Sequence, residues 1–210
     1  GLASIALDAC KAAGVKFVLL LSVTIANTNT IFGRQFKPIE DRAKASGMQY
    51  CIIRLPLLMD NLYAHAITIK DENRICDPRN PREQFASVSL EDVGKCAAEI
   101  LLDPQPHYGQ TYNLISQKYS MIDLSQSMSK VLNRQIKVRE ISWQRFKEAL
   151  LDSRIPEWQI DGLIEWLDGD YDKRLMEWDL QTIKDITGDH PNTLDFFLAV
   201  NASHFGWRLK

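Results

Sequence analysis

Two apolar runs that do not alternate constrain this chain most: "KFVLLLS" at 16–22 and "QYCIIR" at 49–54. A strand with one wet face alternates apolar and polar residues, whereas a continuous apolar run is covered on both faces, as in a parallel sheet. Each run follows a segment of helical periodicity closed by a glycine. Residues 2–13 put Leu2, Ile5, Ala6, Ala9 and Ala13 on one face ahead of Gly14, and residues 34–46 turn Ile39 and Ala43 inward ahead of Gly47. Pro38 is tolerated only in a first turn, so the second helix is expected to start near Gln35 to Lys37. Helix, strand, helix, strand with links this short implies right-handed crossovers and a parallel sheet.

Further along, "FASVSLEDVGKCAAEILLD" reads as a short strand, Ser89 as N-cap, and a helix to Leu102 with Glu91 and Asp92 in its first turn. "TYNLIS" is a strand, Ser120 caps a helix through Leu132, and "QIKVREI" is a last strand; "DENRICDPRNPRE" reads as a turn-rich loop. After Ser142 the pattern is helical only, over 143–151, 157–168, 179–187 and 193–201. The fold class is therefore α/β, with a sheet-bearing part at 1–142 and a small helical subdomain at 143–210. That subdomain carries Trp143, Trp158, Trp166 and Trp178 ahead of the tail's Trp207. Trp158 and Trp166, two turns apart, either pack inward or line a ligand pocket between the two parts.

A net charge of -2 and the lack of any Lys/Arg run argue against a nucleic-acid partner. Cys10, Cys51, Cys76 and Cys96 sit in or beside apolar stretches without metal-ligand spacing, as buried thiols in a reducing compartment do, and a cytoplasmic location is expected. His65, His107, His190 and His204 form no ligand motif, so no metal site is expected. "VKFVLLLSVTIA" is too short to span a bilayer and follows a helical segment carrying Asp8, so neither a membrane anchor nor a signal peptide is expected. A chain that opens on Gly1, already inside a helix, is expected to be a processed or partial one.

The segments "ALDACKAAGVKFVLLLSV", "FGRQFKPIEDRAKASGMQYCIIRLPLLMDNL", "FASVSLEDVGKCAAEILLDP", "GQTYNLIS" and "IKDITGDHPNTLDFF", in this order and spacing, resemble the NmrA-like family of atypical short-chain dehydrogenase/reductases. The resemblance runs from residue 2 to about 200 and implies the C-terminal part of a Rossmann-like parallel sheet. In that family an earlier strand leads into a Gly-rich turn whose amides hold the cofactor pyrophosphate. Here Gly1, Gly14, Gly33 and Gly47 are isolated and no G-x-G-x-x-G occurs. On the family pattern the chain starts just before the fifth strand. It is then expected to expose a sheet edge at 16–22, to bind cofactor weakly by itself, and to self-associate, with a homodimer as one outcome.

Within the wider dehydrogenase class a Tyr and a Lys four residues on carry the proton and hold the nicotinamide ribose. The resemblance puts Phe32 and Phe36 at those two places, so that mechanism cannot run; both are expected to pack beneath the nicotinamide site. Lys37 is the next residue and the one catalytic candidate. One residue is about 100° of helix, so Lys37 reaches a cofactor only if the helix start unwinds at Pro38; otherwise it is a solvated lysine. Ser22 and Thr24 follow a strand end, where α/β sheets place ligand groups, and read equally well as turn caps. After Arg54-x-Pro56, the resemblance implies that Leu58, Met59, Asp60 and Asn61 pass along the nicotinamide end of the cofactor. Asn61 offers a donor and an acceptor, or serves as the N-cap of "LYAHAI". Arg54 is expected to make a structural ion pair or to bond a loop carbonyl.

The resemblance thus implies NAD(P) binding, with NADP favoured over NAD. It leaves open two readings, a reductase of a quinone or small carbonyl and a non-enzymatic redox sensor that passes the cofactor's state to a protein partner. A third is a fragment that binds no cofactor.

Overall fold

A computed structural model of the chain describes residues 1–152, 155–169, 171 and 180–206. The chain begins α1 (Leu2–Ala12), β1 (Phe17–Val23), α2 (Ile31–Ala45), β2 (Gln49–Leu55) and β3 (Leu57–Leu58). A 3-10 stretch (Met59–His65), α3 (Ala66–Glu72), β4 (Arg74–Asp77), β5 (Phe85–Val88), α4 (Leu90–Leu102), β6 (Thr111–Asn113) and β7 (Gln117–Tyr119) follow. Next come α5 (Met121–Leu132), β8 (Lys137–Glu140), α6 (Trp143–Leu151), α7 (Glu157–Asp168), α8 (Thr182–Thr187) and α9 (Leu194–Val200). Trp178, Trp207 and the expected helix start at 179 lie outside the described residues.

The two apolar runs pair in parallel, from Phe17 opposite Gln49 to Val23 opposite Leu55, and β2 pairs in parallel with β6. The order β1-β2-β6 leaves β2 central, and Cys51, Ile52 and Ile53 are fully buried. β1 was expected to be covered on both faces. Instead it is half-buried and Leu21 is 47% exposed, because among the described residues β1 is hydrogen-bonded to a strand on one side only. Two smaller sheets finish the α/β architecture. β5 lies between parallel β3 and antiparallel β7, and β4 pairs in parallel with β8.

Three expectations need correction. On α1, Leu2 and Ile5 are exposed, and Leu7 with Cys10 packs instead against Ala43, Met48 and Ile39. Helix α2 starts at Ile31, not near 35: Thr30 is extended and its Oγ1 accepts from the Gly33 amide at 2.9 Å. Pro38 therefore sits inside the helix, where the cap and the packing outweigh the lost hydrogen bond. The turn-rich loop at 71–83 contains strand β4, which starts directly after Asn73 ends α3 in the left-handed conformation (φ 57°).

The other caps fall where the sequence puts them. Ser89 Oγ accepts from the Asp92 amide, and Ser120 forms a capping box with Asp123. The helical lobe docks on the start of α2. Glu165 Oε2 of α7 accepts from the Ile31 amide at 2.6 Å, and the Phe32 ring lies edge-on to Trp158 and Trp166 with centroids 6.3 and 6.0 Å away. Gly162 lets this happen, since a Cβ there would meet the Phe32 ring at 3.1 Å. Trp166 is buried and Trp158 partly exposed, and both pack on Phe32, so these aromatics join the lobe to helix α2.

Candidate functional site

A parallel sheet places its ligands beyond the carboxyl ends of its strands. Here those ends are Ser22 to Thr24 on β1, Arg54 to Leu58 after β2, and Asn113 on β6, with Ser22, Arg54 and Asn113 side by side in register.

The middle of this row is a closed polar network. Glu40 of α2 is fully buried; it accepts from Arg54 Nε at 2.9 Å and Nη2 at 2.6 Å and from Ser22 Oγ at 2.6 Å. Burial pushes the Glu40 carboxyl up, but the hydrogen bonds from Arg54 and Ser22 and the charges of Arg54 and Lys44 outweigh burial and hold it below its ordinary 4.5. With its amide oxygen turned toward Arg54, Asn27 accepts from Nη1 and Nη2 at 3.1 and 3.2 Å. Ser22 and Arg54 are thus occupied in joining two strands, a loop and a helix. Thr24 differs: its Oγ1 is buried and has no partner among the described residues, as does Asn113 Oδ1.

Lys37 lies within α2 rather than at an unwound start. Its side chain is 40% exposed, and the ammonium pairs with Asp41 one turn on. It lines an open groove with Asn27, Thr28, Arg34 and Pro38. Phe36 is half-buried on the same helix. Met59 is fully buried in the main core, so its side chain reaches no ligand. Asn61 lies inside the 3-10 stretch and is exposed, not an N-cap. Asp60 Oδ2 accepts from the Leu90 amide at the start of α4, at 3.2 Å.

Leu58, Asp60 and Asn61 come together on one wall of a cavity of about 270 Å³. Its apolar side is supplied by Phe146 and Leu150 of α6 and Leu163 and Leu167 of α7. Its polar side, which sequence reasoning missed, is His65, Asp77 and Arg79. Asp77 is 2% exposed and binds Arg79 twice, Oδ1 to Nε at 2.9 Å and Oδ2 to Nη2 at 3.0 Å, while the Arg79 amide also donates to Oδ1 at 3.0 Å. The guanidinium carbon sits 4.2 Å from the centre of the Phe85 ring. Burial pushes the His65 imidazole below its ordinary 6.5; the charge of Asp77 opposes this and that of Arg79 adds to it. The available signal was Pro78-Arg79 directly after the alternating "RICD", whose closing Asp77 is placed to bond an amide two residues on.

Among the described residues no group of three or more His, Cys, Asp or Glu is arranged to hold a metal, and no helix is long and apolar enough to cross a membrane.

Comparison with known proteins gives a match to the NmrA-like family over residues 4–182. Prestalk A differentiation protein A of Dictyostelium discoideum is 26% identical over 196 residues, 91% of this chain and 62% of that protein. Quinone oxidoreductase 2 of Escherichia coli (strain K12) is 25% identical over 200 residues, 94% of this chain and 68% of that protein. Among solved structures, an E. coli NADPH-dependent quinone oxidoreductase complexed with NADPH superposes with a TM-score of 0.76 at 23% identity, over 96% of this chain and 70% of that one. The chain therefore spans 62% of the length of the first of these relatives.

Proposed function

The chain belongs to the NmrA-like family, and from that premise we propose that it is the substrate-binding part of an NADPH-dependent reductase acting on a quinone or small carbonyl. One observation carries the reading: Leu58, Asp60 and Asn61, in the stretch after β2 that the family resemblance assigns to the reactive end of the cofactor, line a mainly apolar cavity bounded by the helical lobe. Residues 1–142 then serve the cofactor and 143–210 complete the substrate space. The similarity to a quinone oxidoreductase at 25% identity supports the same choice.

The residues present suit the nicotinamide end of such a cofactor. Thr24 offers a buried hydroxyl with no partner among the described residues, and Leu58, Asp60 and Asn61 would complete the holding set. Met59 contributes to the core, and Ser22 acts through Glu40. When bound, the nicotinamide supplies a hydride. The protein's part is to position the acceptor and keep water from the reacting face, which the apolar residues of α6 and α7 are placed to do. Phe32 has no proton to give, which suits an acceptor such as a quinone, whose oxygen takes its proton from solvent. A reducing, cytoplasmic setting follows from the reading, and free Cys10, Cys51, Cys76 and Cys96 suit it.

The test is NADPH binding, followed by NADPH oxidation with a series of soluble quinones. Quinone-dependent oxidation is expected. Tight NADPH binding with no turnover on any quinone would replace the reductase by a redox-sensing regulator.

A further inference from the structure

We propose that the Asp77–Arg79 pair makes this cavity a receptor for a neutral, flat, apolar molecule whose carbonyl oxygen accepts a hydrogen bond from Arg79 Nη1. The inference names the substrate class for the site described above and rests on the proposed function only for the use made of the bound molecule.

The argument starts from the arginine. Two of its nitrogens are committed to Asp77, and Nη1 is buried with no partner among the described residues. A buried guanidinium nitrogen left without an acceptor is costly, and both Arg79 and the Phe85 ring it covers line the cavity. An acceptor entering the cavity is therefore its natural partner.

Charge then selects the acceptor. The bidentate aspartate already neutralises the guanidinium, and Asp77 Oδ1 also accepts from the Arg79 amide. A carboxylate entering this site would leave a net negative charge beside buried Asp77, with Asp60 on the same wall. A carbonyl oxygen brings no charge and still receives a charge-assisted bond. Shape and size follow from the remaining lining. Phe85, Phe146, Leu163 and Leu167 offer flat and branched apolar contacts, and about 270 Å³ suits a ligand of one or two rings.

The experiment uses three compounds of one shape that need no cofactor: 2-acetonaphthone, 2-isopropenylnaphthalene and 2-naphthoate. Their affinities for the protein without NADPH are measured by calorimetry. The ketone is expected to bind about tenfold more tightly than the hydrocarbon, the size of one hydrogen bond to a charged donor, and more tightly than the acid. Arg79→Lys keeps a positive charge for Asp77 but loses the forked donor, so it should erase the preference for the ketone while retaining the melting temperature to within a few degrees. Leu163→Trp, which fills the cavity, should abolish binding of all three. Equal affinities, tightest binding of the acid, no binding of any compound, or an unchanged preference in a folded Arg79→Lys protein would each overturn the proposal. Should Arg79→Lys fail to fold, the three affinities of the unaltered protein decide alone. Selective ketone binding in a protein that never oxidises NADPH would overturn the reductase reading and leave this one standing.

Discussion

Glu40 and Arg54 form a buried two-pronged ion pair, Nε to Oε1 at 2.9 Å and Nη2 to Oε2 at 2.6 Å, which ties helix α2 to the central strand. Removing one member strands the other charge in a dry place. Glu40→Ala is therefore expected to cost about 3–5 kcal/mol of stability, read from urea unfolding. Its pH dependence has a definite sign. The folded carboxyl is held below its ordinary 4.5, so its contribution is fully present above that value and fades as the pH falls toward and through the folded pKa. Glu40→Gln should flatten this acid limb of the stability curve; an unaltered limb would mean that other carboxylates set it.

One carboxylate of the helical lobe bonds the start of α2, beside the contact of Phe32 with two tryptophans. Glu165 Oε2 takes the Ile31 amide, a donor no helix can satisfy internally. Glu165→Ala should loosen α7 from α2 at a cost of about 1–2 kcal/mol, as loss of an N-terminal cap does. The change should appear as faster amide exchange at 157–168 and, since Leu163 and Leu167 line the cavity, as weaker ligand binding. Unchanged exchange in α7 would show that Phe32 and the two tryptophans hold the lobe without the carboxylate.

Burial pushes the Cys51 thiol up to about 11 and that of Cys96 up to about 12. Both side chains are fully covered, and the thiolate is the reactive form. Alkylation of the native protein at pH 8, mapped by mass, is expected to leave these two unmodified until denaturant is added. Rapid modification of either would mean that the β2–α4 core opens without unfolding.

The sheet was legible because its signal is local. Two unbroken apolar runs, each behind a helix that ends in glycine, allow few arrangements, and Ser89 and Ser120 mark their helices by hydroxyl and spacing alone. The start of α2 was not legible in the same way. Pro38 argued for a late beginning and hid the local Thr30 cap on the Gly33 amide, which together with the tertiary bond from the Ile31 amide to Glu165 sets the helix start at Ile31. The same holds for the site. Leu58, Asp60 and Asn61 were placed by family resemblance and do share a cavity wall. Arg79 was hidden in a segment whose Pro and Asn residues read as loop, and its importance lies in a pairing with Asp77 and a ring contact that need the folded chain. For α1 the apolar stripe was visible, but which part of it is covered depends on what packs there, and Leu7 rather than Leu2 faces Ala43.

Lys37 and Asn61 separate two versions of the chemistry. The dehydrogenase pattern makes a lysine one turn into this helix a cofactor contact. Here Lys37 pairs with Asp41 on an exposed face and lines a groove with Arg34, whereas Asn61 lines the cavity. An exposed i,i+4 pair contributes a few tenths of a kcal/mol. Lys37→Ala should therefore leave stability nearly unchanged and alter quinone-dependent NADPH oxidation less than twofold. Asn61→Ala removes a donor and an acceptor from the cavity wall. It should lower kcat/KM about tenfold, the equivalent of ~1.4 kcal/mol. The reverse ranking would return the reacting centre to the helix start and take it away from the cavity. Turnover untouched by either substitution would remove the case for hydride transfer at this wall.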